Sequence, residues 1–285
     1  VFAAFQGNAG LALGNAVGSI IADTALIFGV GCMLTALPVD RFLLNRQGWV
    51  QFGVIGLLAV ICYGLYAWRG DVAELGRGIG IFLLALLVAY IAISIKWGKQ
   101  HSLTGIDRAH DEPDAVMDHA SHDKWNKLIL LFAGGLGLVV VFAQLLITNV
   151  EIVAERWGVP QVVIAGTIVA FGTSLPELVV GITAIRKGHP ALLIGNVIGA
   201  DILNVLFVVG GAALAAPLPV VDPNPESTMP HIFLVLHVPV MLLVTFMFRG
   251  YIFAAVRRGH FSRWMGVPLV AIYIAYLIAN VVLGK

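Results

Sequence analysis

Thr173, Ser174 and Glu177 bring two hydroxyls and a carboxylate within four positions of one another, in the run Gly172-Thr-Ser-Leu-Pro-Glu177. Spacings of three and four put such side chains on neighbouring positions of one helix face. The flanking sequence is apolar enough to cross a bilayer. An ionisable group there is costly, so its first reading is an ion or substrate path. Pro176 has no N–H to give the Gly172 carbonyl, and broken helical backbone is tolerated at membrane depth where it lines a cavity. A carboxylate, two hydroxyls and a loosened carbonyl make a site of hard oxygens suited to a cation. Local back-bonding by Thr and Ser and a simple proline kink would explain each residue singly, but not the buried Glu177. A second polar run in apolar surroundings, Gly195-Asn-Val-Ile-Gly-Ala-Asp-Ile-Leu-Asn204, follows shortly and adds Asn196, Asp201 and Asn204.

The elements that must position these groups are membrane helices. Of the 285 residues, 59% are hydrophobic and 12% charged, with mean hydropathy +0.94, whereas soluble domains run near 25% charged. At about 20 residues per span, apolar segments are expected near 10–37, 48–68, 78–97, 127–154, 160–185, 190–215, 229–248 and 263–283. The fold class is an all-α polytopic membrane protein whose partner is the lipid bilayer, and a net charge of +1 implies no nucleic-acid partner. Cys32 and Cys62 sit in apolar segments and read as buried thiols. If the segments alternate, Arg41, Arg46, Lys96, Lys99, Arg108, Lys124, Lys127, Arg186, Lys187, Arg249, Arg257, Arg258 and Arg263 share one side, while Arg69, Arg77, Arg156 and Lys285 share the other. The positive-inside rule makes the first side cytoplasmic and puts the C-terminus outside. The polar run from Lys99 to Lys127 carries His101, His110, His119 and His122 among several carboxylates. It reads as a solvated cytoplasmic linker, with a regulatory metal site as the sharper alternative.

The chain also repeats itself. Gly14-Asn-Ala-Val-Gly18 matches Gly195-Asn-Val-Ile-Gly199 at an offset of 181, and the same offset pairs Gly29 with Gly210, Leu37 with Leu218, Pro38 with Pro219 and Val39 with Val220. The second copy lies five spans after the first, an odd number, so the copies run in opposite directions across the membrane. Inverted repeats with broken helices meeting at the midplane are the architecture of secondary transporters. Asp23 then takes the place of Asn204, and Ser19 that of Ala200. Ser19 and Asp23 are expected to face Asn204, Thr173, Ser174 and Glu177 across a pseudo-twofold axis. Glu177 shifted by the same offset falls before Val1, so its counterpart is expected on a segment preceding this chain, which begins in mid-pattern.

These residues resemble the calcium/cation antiporter family, the sodium/calcium and proton/calcium exchangers of prokaryotic type. The motifs are Gly172-Thr-Ser-Leu-Pro-Glu177 and Gly195-Asn-Val-Ile-Gly-Ala200, with Gly158-Val-Pro-Gln-Val-Val-Ile-Ala-Gly-Thr-Ile-Val-Ala-Phe-Gly172 as lead-in. The resemblance implies an inverted-repeat antiporter fold of ten helices in two sets of five, with about eight present here. Residues 1–98 would hold the remainder of the first repeat, from the end of the second helix to the fifth. Residues 99–126 would be the linker, and 127–285 the second repeat, helices six to ten; the absent N-terminal helices would be partners. It further implies that Glu177, Thr173, Ser174 and the Ala170 carbonyl coordinate cation from the seventh helix, Ser19 and Asp23 from the third, and Asn204 from the eighth, with Glu177 and Asp23 as the charged ligands. Two positions depart from the family pattern: Ala200 lacks the hydroxyl many relatives have, and Asp201 stands where Asn is common. Asp201 is about 100° round the helix from Ala200, so it reads either as a support beside the site or as a contact between helices. Asn15 and Asn196 read as interhelical hydrogen-bonders.

The expected function is secondary active exchange of Ca2+ for Na+ or H+ by alternating access, with no cofactor, in a bacterial inner (plasma) membrane. Glu177 would be the shared ligand, ionised for calcium or sodium and protonated when a proton is the counter-ion. A passive cation channel is the alternative; it would use similar oxygens without needing inverted copies of broken helices. An enzyme is not expected, since no HExxH or paired nucleophile and base appears.

Overall fold

The structure, a computed structural model, describes residues 9–105, 170–221 and 230–283, with isolated positions between 127 and 152. Its first half starts with α1 (Ala9–Ile21), which continues through a π-helical turn (Ala22–Ile27) into α2 (Phe28–Leu34). A two-residue strand β1 (Leu37–Pro38), α3 (Arg41–Arg69), β2 (Glu74–Leu75) and α4 (Arg77–Gly105) complete it. The second half shows α5 (Ala170–Thr173), α6 (Leu175–Arg186), and α7 (Ala191–Leu203), which passes through a π turn (Asn204–Val209) into α8 (Gly210–Ala215). Strand β3 (Leu218–Pro219) follows, then a π turn (Phe233–His237) leading into α9 (Val238–Arg258), β4 (His260–Phe261) and α10 (Gly266–Leu283).

Among the described residues, six helices are long and apolar enough to cross a membrane: Ala12–Leu34, Arg41–Val72, Arg77–Lys99, Ala191–Ala215, Phe233–Arg258 and Arg263–Leu283. The segment expected near 127–154 lies, apart from isolated helical positions, outside the described residues, as do linker positions 106–126. The segment expected near 160–185 is described only from Ala170 onward. Helix ends differ from the hydropathy reading for local reasons. The α3 helix starts at Arg41 because the Asp40 carboxylate accepts from the Phe42 and Leu43 amides at 2.9 and 3.1 Å, satisfying two donors of the first turn. The last apolar pattern but one was expected to end near 248, yet α9 runs to Arg258. Arg249 can stay inside because its guanidinium lies 3.9 Å from the Trp49 ring centroid and 4.7 Å from that of Phe253, and donates to the Leu44 carbonyl at 3.3 Å. Gly259, at φ +82°, then ends the helix in the left-handed conformation.

The repeat seen in sequence is a symmetry of the packing. Strand β1 pairs antiparallel with β4, Leu37 opposite Phe261, and β3 pairs with β2, Leu218 opposite Leu75. Each short ladder therefore joins one half to the other, in the same register. The matched glycines behave likewise: a Cβ on Gly266 would collide with the Gly29 carbonyl, and a Cβ on Gly80 would come within 2.7 Å of the Gly210 carbonyl. In a bilayer, lipid tails compete for apolar surface, so close backbone approach at small residues holds helices together. Around these crossings the core is apolar, with Phe28 set edge-on against Phe248 and Phe261 at 4.6 and 5.1 Å.

Candidate cation site

Asn15, Ser19 and Asp23 recur every four residues and so line one stripe of α1 into its π turn. The turn is wide because the Phe28 amide bonds back to the Asp23 carbonyl, five residues earlier. Such π segments inside α-helices are frequent at functional sites, and here the second copy of the repeat has one at Asn204–Val209. Opposite this stripe the chain breaks. Ser174 sits at φ −91°, ψ 0°, between α5 and α6, and its amide bonds the Phe171 carbonyl at 3.1 Å, three residues back rather than four. Pro176 follows in the first turn of α6, where its missing N–H does least harm.

The two stripes meet at these groups. Ser19 Oγ lies 3.1 Å from Thr173 Oγ1, and the Thr173 hydroxyl donates to Asn15 Oδ1 at 3.2 Å. The Ser174 side chain lies close to the Asp23 carboxylate. Asn204 donates through Nδ2 to Asp23 Oδ2 at 3.5 Å, a long contact between residues at equivalent places in the two repeats. Asp23 is 1% exposed and Ser174 4%. Asp23 Oδ1 and Glu177 Oε2 are buried and, among the described residues, accept no hydrogen bond, and Asp23 lies within electrostatic reach of both Asp201 and Glu177. Ser19, Asp23, Thr173, Ser174, Glu177 and Asn204 thus come together. Ala170 is placed on α5 one turn before Ser174.

Asn15 and Asn196 hold the frame: Asn15 accepts from Thr173, and Asn196 Nδ2 donates to the Glu177 carbonyl at 3.4 Å. Asp201 turns to other helices, accepting at Oδ2 from Thr24 Oγ1 at 2.7 Å and from the Gln51 amide. Thr24 and Gln51 escaped the sequence reading. Gln51 carried a signal, as a lone amide in an apolar span. Among the described residues no ion pair involves Asp23, Glu177 or Asp201, and no three His, Cys, Asp or Glu side chains converge as a resident metal centre. A cavity of about 300 Å3 opens beside Pro38, Asp40 and Leu192 and reaches Asn196. A mixed cluster of carboxylate, hydroxyl and amide oxygens can take a hard cation and release it, since few of its ligands are charged.

The sequence pattern of the family described as sodium/calcium exchanger protein matches residues 1–96 and 127–282. The chain belongs to the sodium/calcium exchanger family. Among its relatives, inner membrane protein YrbG of Escherichia coli is 31% identical over 208 residues, 73% of this chain and 61% of that one. Sodium/calcium exchanger MaX1 of Methanosarcina acetivorans is 27% identical over 300 residues, 98% of this chain and 82% of that one. The chain therefore spans less than two thirds of the length of YrbG. A solved structure of the sodium-calcium exchanger NCX_Mj superimposes with TM-score 0.66 at 24% identity, over 98% of this chain and 79% of that one, and shows the same helical antiporter fold. The exchanger-family chain is an integral membrane protein, as its apolar helices require.

Proposed function

We propose that this protein is a secondary antiporter that moves Ca2+ against Na+ or H+ by alternating access. The supporting observation is the meeting of Asp23 and Asn204, equivalents in inverted repeats, beside carboxylate oxygens of Asp23 and Glu177 that have no partner among the described residues. Calcium takes six to eight oxygens in flexible geometry. Glu177 and Asp23 supply the charge, Ser19, Thr173, Ser174 and Asn204 supply neutral oxygens, and the Ala170 carbonyl and water complete the shell. The counter-ion competes for the same carboxylates, which makes the exchange obligatory. Sodium is the first counter-ion to test, because MaX1 carries that name. Access alternates as one group of helices moves against the rest, with the cavity at Asn196 as the way in from the side of Arg41. That side is the cytoplasm, the linker at 99–126 lies in it, the C-terminus is outside, and the membrane is the bacterial plasma membrane.

The test uses the full-length protein in proteoliposomes loaded with calcium, under a sodium gradient and separately under a proton gradient. Calcium movement driven by one gradient is expected, with loss of exchange in Glu177→Gln although the variant still inserts. Calcium flux that persists without any counter-ion would make the protein a channel, and near-normal exchange in Glu177→Gln would remove that residue from the site.

A further inference from the structure

Arg249 is a buried charge that no carboxylate answers. It lies on α9 with 5% exposure, and among the described residues no Asp or Glu forms an ion pair with it. Its guanidinium rests on the Trp49 and Phe253 rings, and Nη1 donates to the Leu44 carbonyl of α3. Nε is buried and, among the described residues, donates to nothing. Gly48 makes room for the group, since a Cβ there would stand 3.1 Å from Nη1.

The side chain climbs towards one membrane surface. Ring contacts between Trp49 and Phe253 at 6.3 Å and between Phe52 and Phe246 at 5.0 Å run antiparallel along α3 and α9, which sets the Arg249 backbone level with Val50 and Gln51. The guanidinium, beside Leu44 and Gly48, lies about one turn nearer the Arg41 end. With 29 residues, α3 is about 43 Å long, while the hydrocarbon layer is about 30 Å thick. Roughly one turn at each end of α3 therefore stands among headgroups, and the Arg249 guanidinium reaches the edge of that zone from a backbone rooted in hydrocarbon. Arginine snorkels in this way, its stem in the apolar layer and its charge at the level of the phosphates.

The link between helices does not itself need a charge. The equivalence of Leu75 with Phe261 and of Gly80 with Gly266 carries Arg249 onto Tyr63 and Gly48 onto Leu234. There the Tyr63 hydroxyl donates to the Leu234 carbonyl at 2.7 Å, so in the other half a neutral side chain makes the corresponding link. The same equivalence puts Val60, Ala67 and Val235 where the Arg249 side has Phe246, Phe253 and Trp49, whose rings are 59%, 53% and 51% exposed. A cation ringed by exposed aromatic side chains thus stands at this place in one half only, on the side with the excess of basic residues.

We propose that this patch holds an anionic phospholipid of the leaflet on the Arg41 side, its phosphate on the Nε edge of the Arg249 guanidinium and an acyl chain along Trp49, Phe246 and Phe253. Aromatic rings take the faces of a guanidinium and leave its in-plane N–H groups, which match phosphate oxygens two at a time. The cover over that edge is Trp49 and Phe253, side chains on the lipid face, which part to admit a phosphate where helix backbone would not. A net negative headgroup balances the buried charge, whereas a zwitterionic one brings its own ammonium and leaves the sum unchanged. Tryptophan at this depth is usual for the membrane interface. The inference goes beyond the antiporter reading and does not rest on the calcium site.

The experiment measures thermal unfolding of the purified, delipidated full-length protein in an uncharged detergent, with added phosphatidylglycerol, phosphatidylethanolamine or inorganic phosphate. Four proteins are compared: wild type, Arg249→Gln, Trp49→Leu, and the double variant Arg257→Gln/Arg258→Gln, whose arginines are exposed at the end of α9. A ligand bound only by the folded state raises the midpoint, by a few degrees near saturation. Phosphatidylglycerol is expected to give that rise in wild type and in the double variant, and phosphatidylethanolamine a smaller one. The rise is expected to vanish in Arg249→Gln, and Trp49→Leu should need several-fold more lipid to reach it. No rise in wild type overturns the proposal, as do equal rises with the two lipids or a rise that survives in Arg249→Gln. An equal rise with inorganic phosphate overturns it by making the site one for a free anion. Loss of the rise in the double variant overturns it by making the effect one of general charge. Should Arg249→Gln show no cooperative unfolding, Trp49→Leu decides: an unchanged lipid requirement overturns the proposal and a several-fold greater one upholds it. Failure to exchange calcium would sink the antiporter reading and leave this result standing, because the midpoints are read without calcium.

Discussion

Exchanging Asp23 and Asn204 tests whether the pseudo-twofold axis runs through the cation site. The two side chains end 3.5 Å apart, so a cation held by one lies within about 4 Å of the other. At an effective dielectric constant of ~20, a divalent cation and a carboxylate at that distance attract by ~8 kcal/mol. Asp23→Asn forfeits that attraction but also removes the cost of burying a carboxylate, which offsets part of it. A net loss of about 2 kcal/mol corresponds to roughly 30-fold weaker apparent calcium affinity. Adding Asn204→Asp returns one carboxylate to the pair at the equivalent place, and the double variant should recover most of that loss. The assay is the half-saturating calcium concentration for sodium-driven 45Ca2+ uptake into vesicles containing the full-length protein, with expression measured in parallel. A double variant no better than Asp23→Asn refutes the reasoning, as does an Asp23→Asn variant within about threefold of wild type.

Two further expectations concern the frame. Gly266→Ala pushes a methyl into the Gly29 carbonyl, which as helix backbone cannot move aside; overpacking of this kind costs about 1–3 kcal/mol and should lower the unfolding midpoint by several degrees. Gly53→Ala, where the added carbon meets nothing outside its own helix turn among the described residues, is the control expected to hold its midpoint, and equal behaviour of the two variants would refute the close crossing. Asp40→Ala removes the acceptor for the Phe42 and Leu43 amides and should cost ~1 kcal/mol. Asp40→Ser should restore most of that stability in the same melt, and an Asp40→Ala variant as stable as wild type would mean that the cap contributes nothing.

Much of this protein is written in local sequence. The apolar runs announce the spans, because a bilayer offers the backbone no partner but itself and demands long helices. Pro176 and the groups around it announce a broken helix and a candidate cation site, because polar side chains in such surroundings need a purpose. The offset that matches Gly14 to Gly195 exposes the inverted repeat and pairs Asp23 with Asn204 before any coordinates. Other features exist only in the packed molecule. The π turns at Ala22–Ile27 and Asn204–Val209 depend on one extra residue in a helical turn, which apolar periodicity does not record. The ladders of β1 with β4 and β3 with β2 are backbone bonds between distant segments, indifferent to side-chain type. The partners of Asp201 come from two other helices, and a single helix cannot specify which neighbour's hydroxyl or amide will meet its carboxylate. Sequence alone thus determined that Asp23, Glu177, Asp201 and Asn204 lie in segments that enter the membrane. Tertiary structure decided which of them meet, because burial is paid for segment by segment whereas satisfaction of a buried polar group requires a partner from elsewhere in the fold.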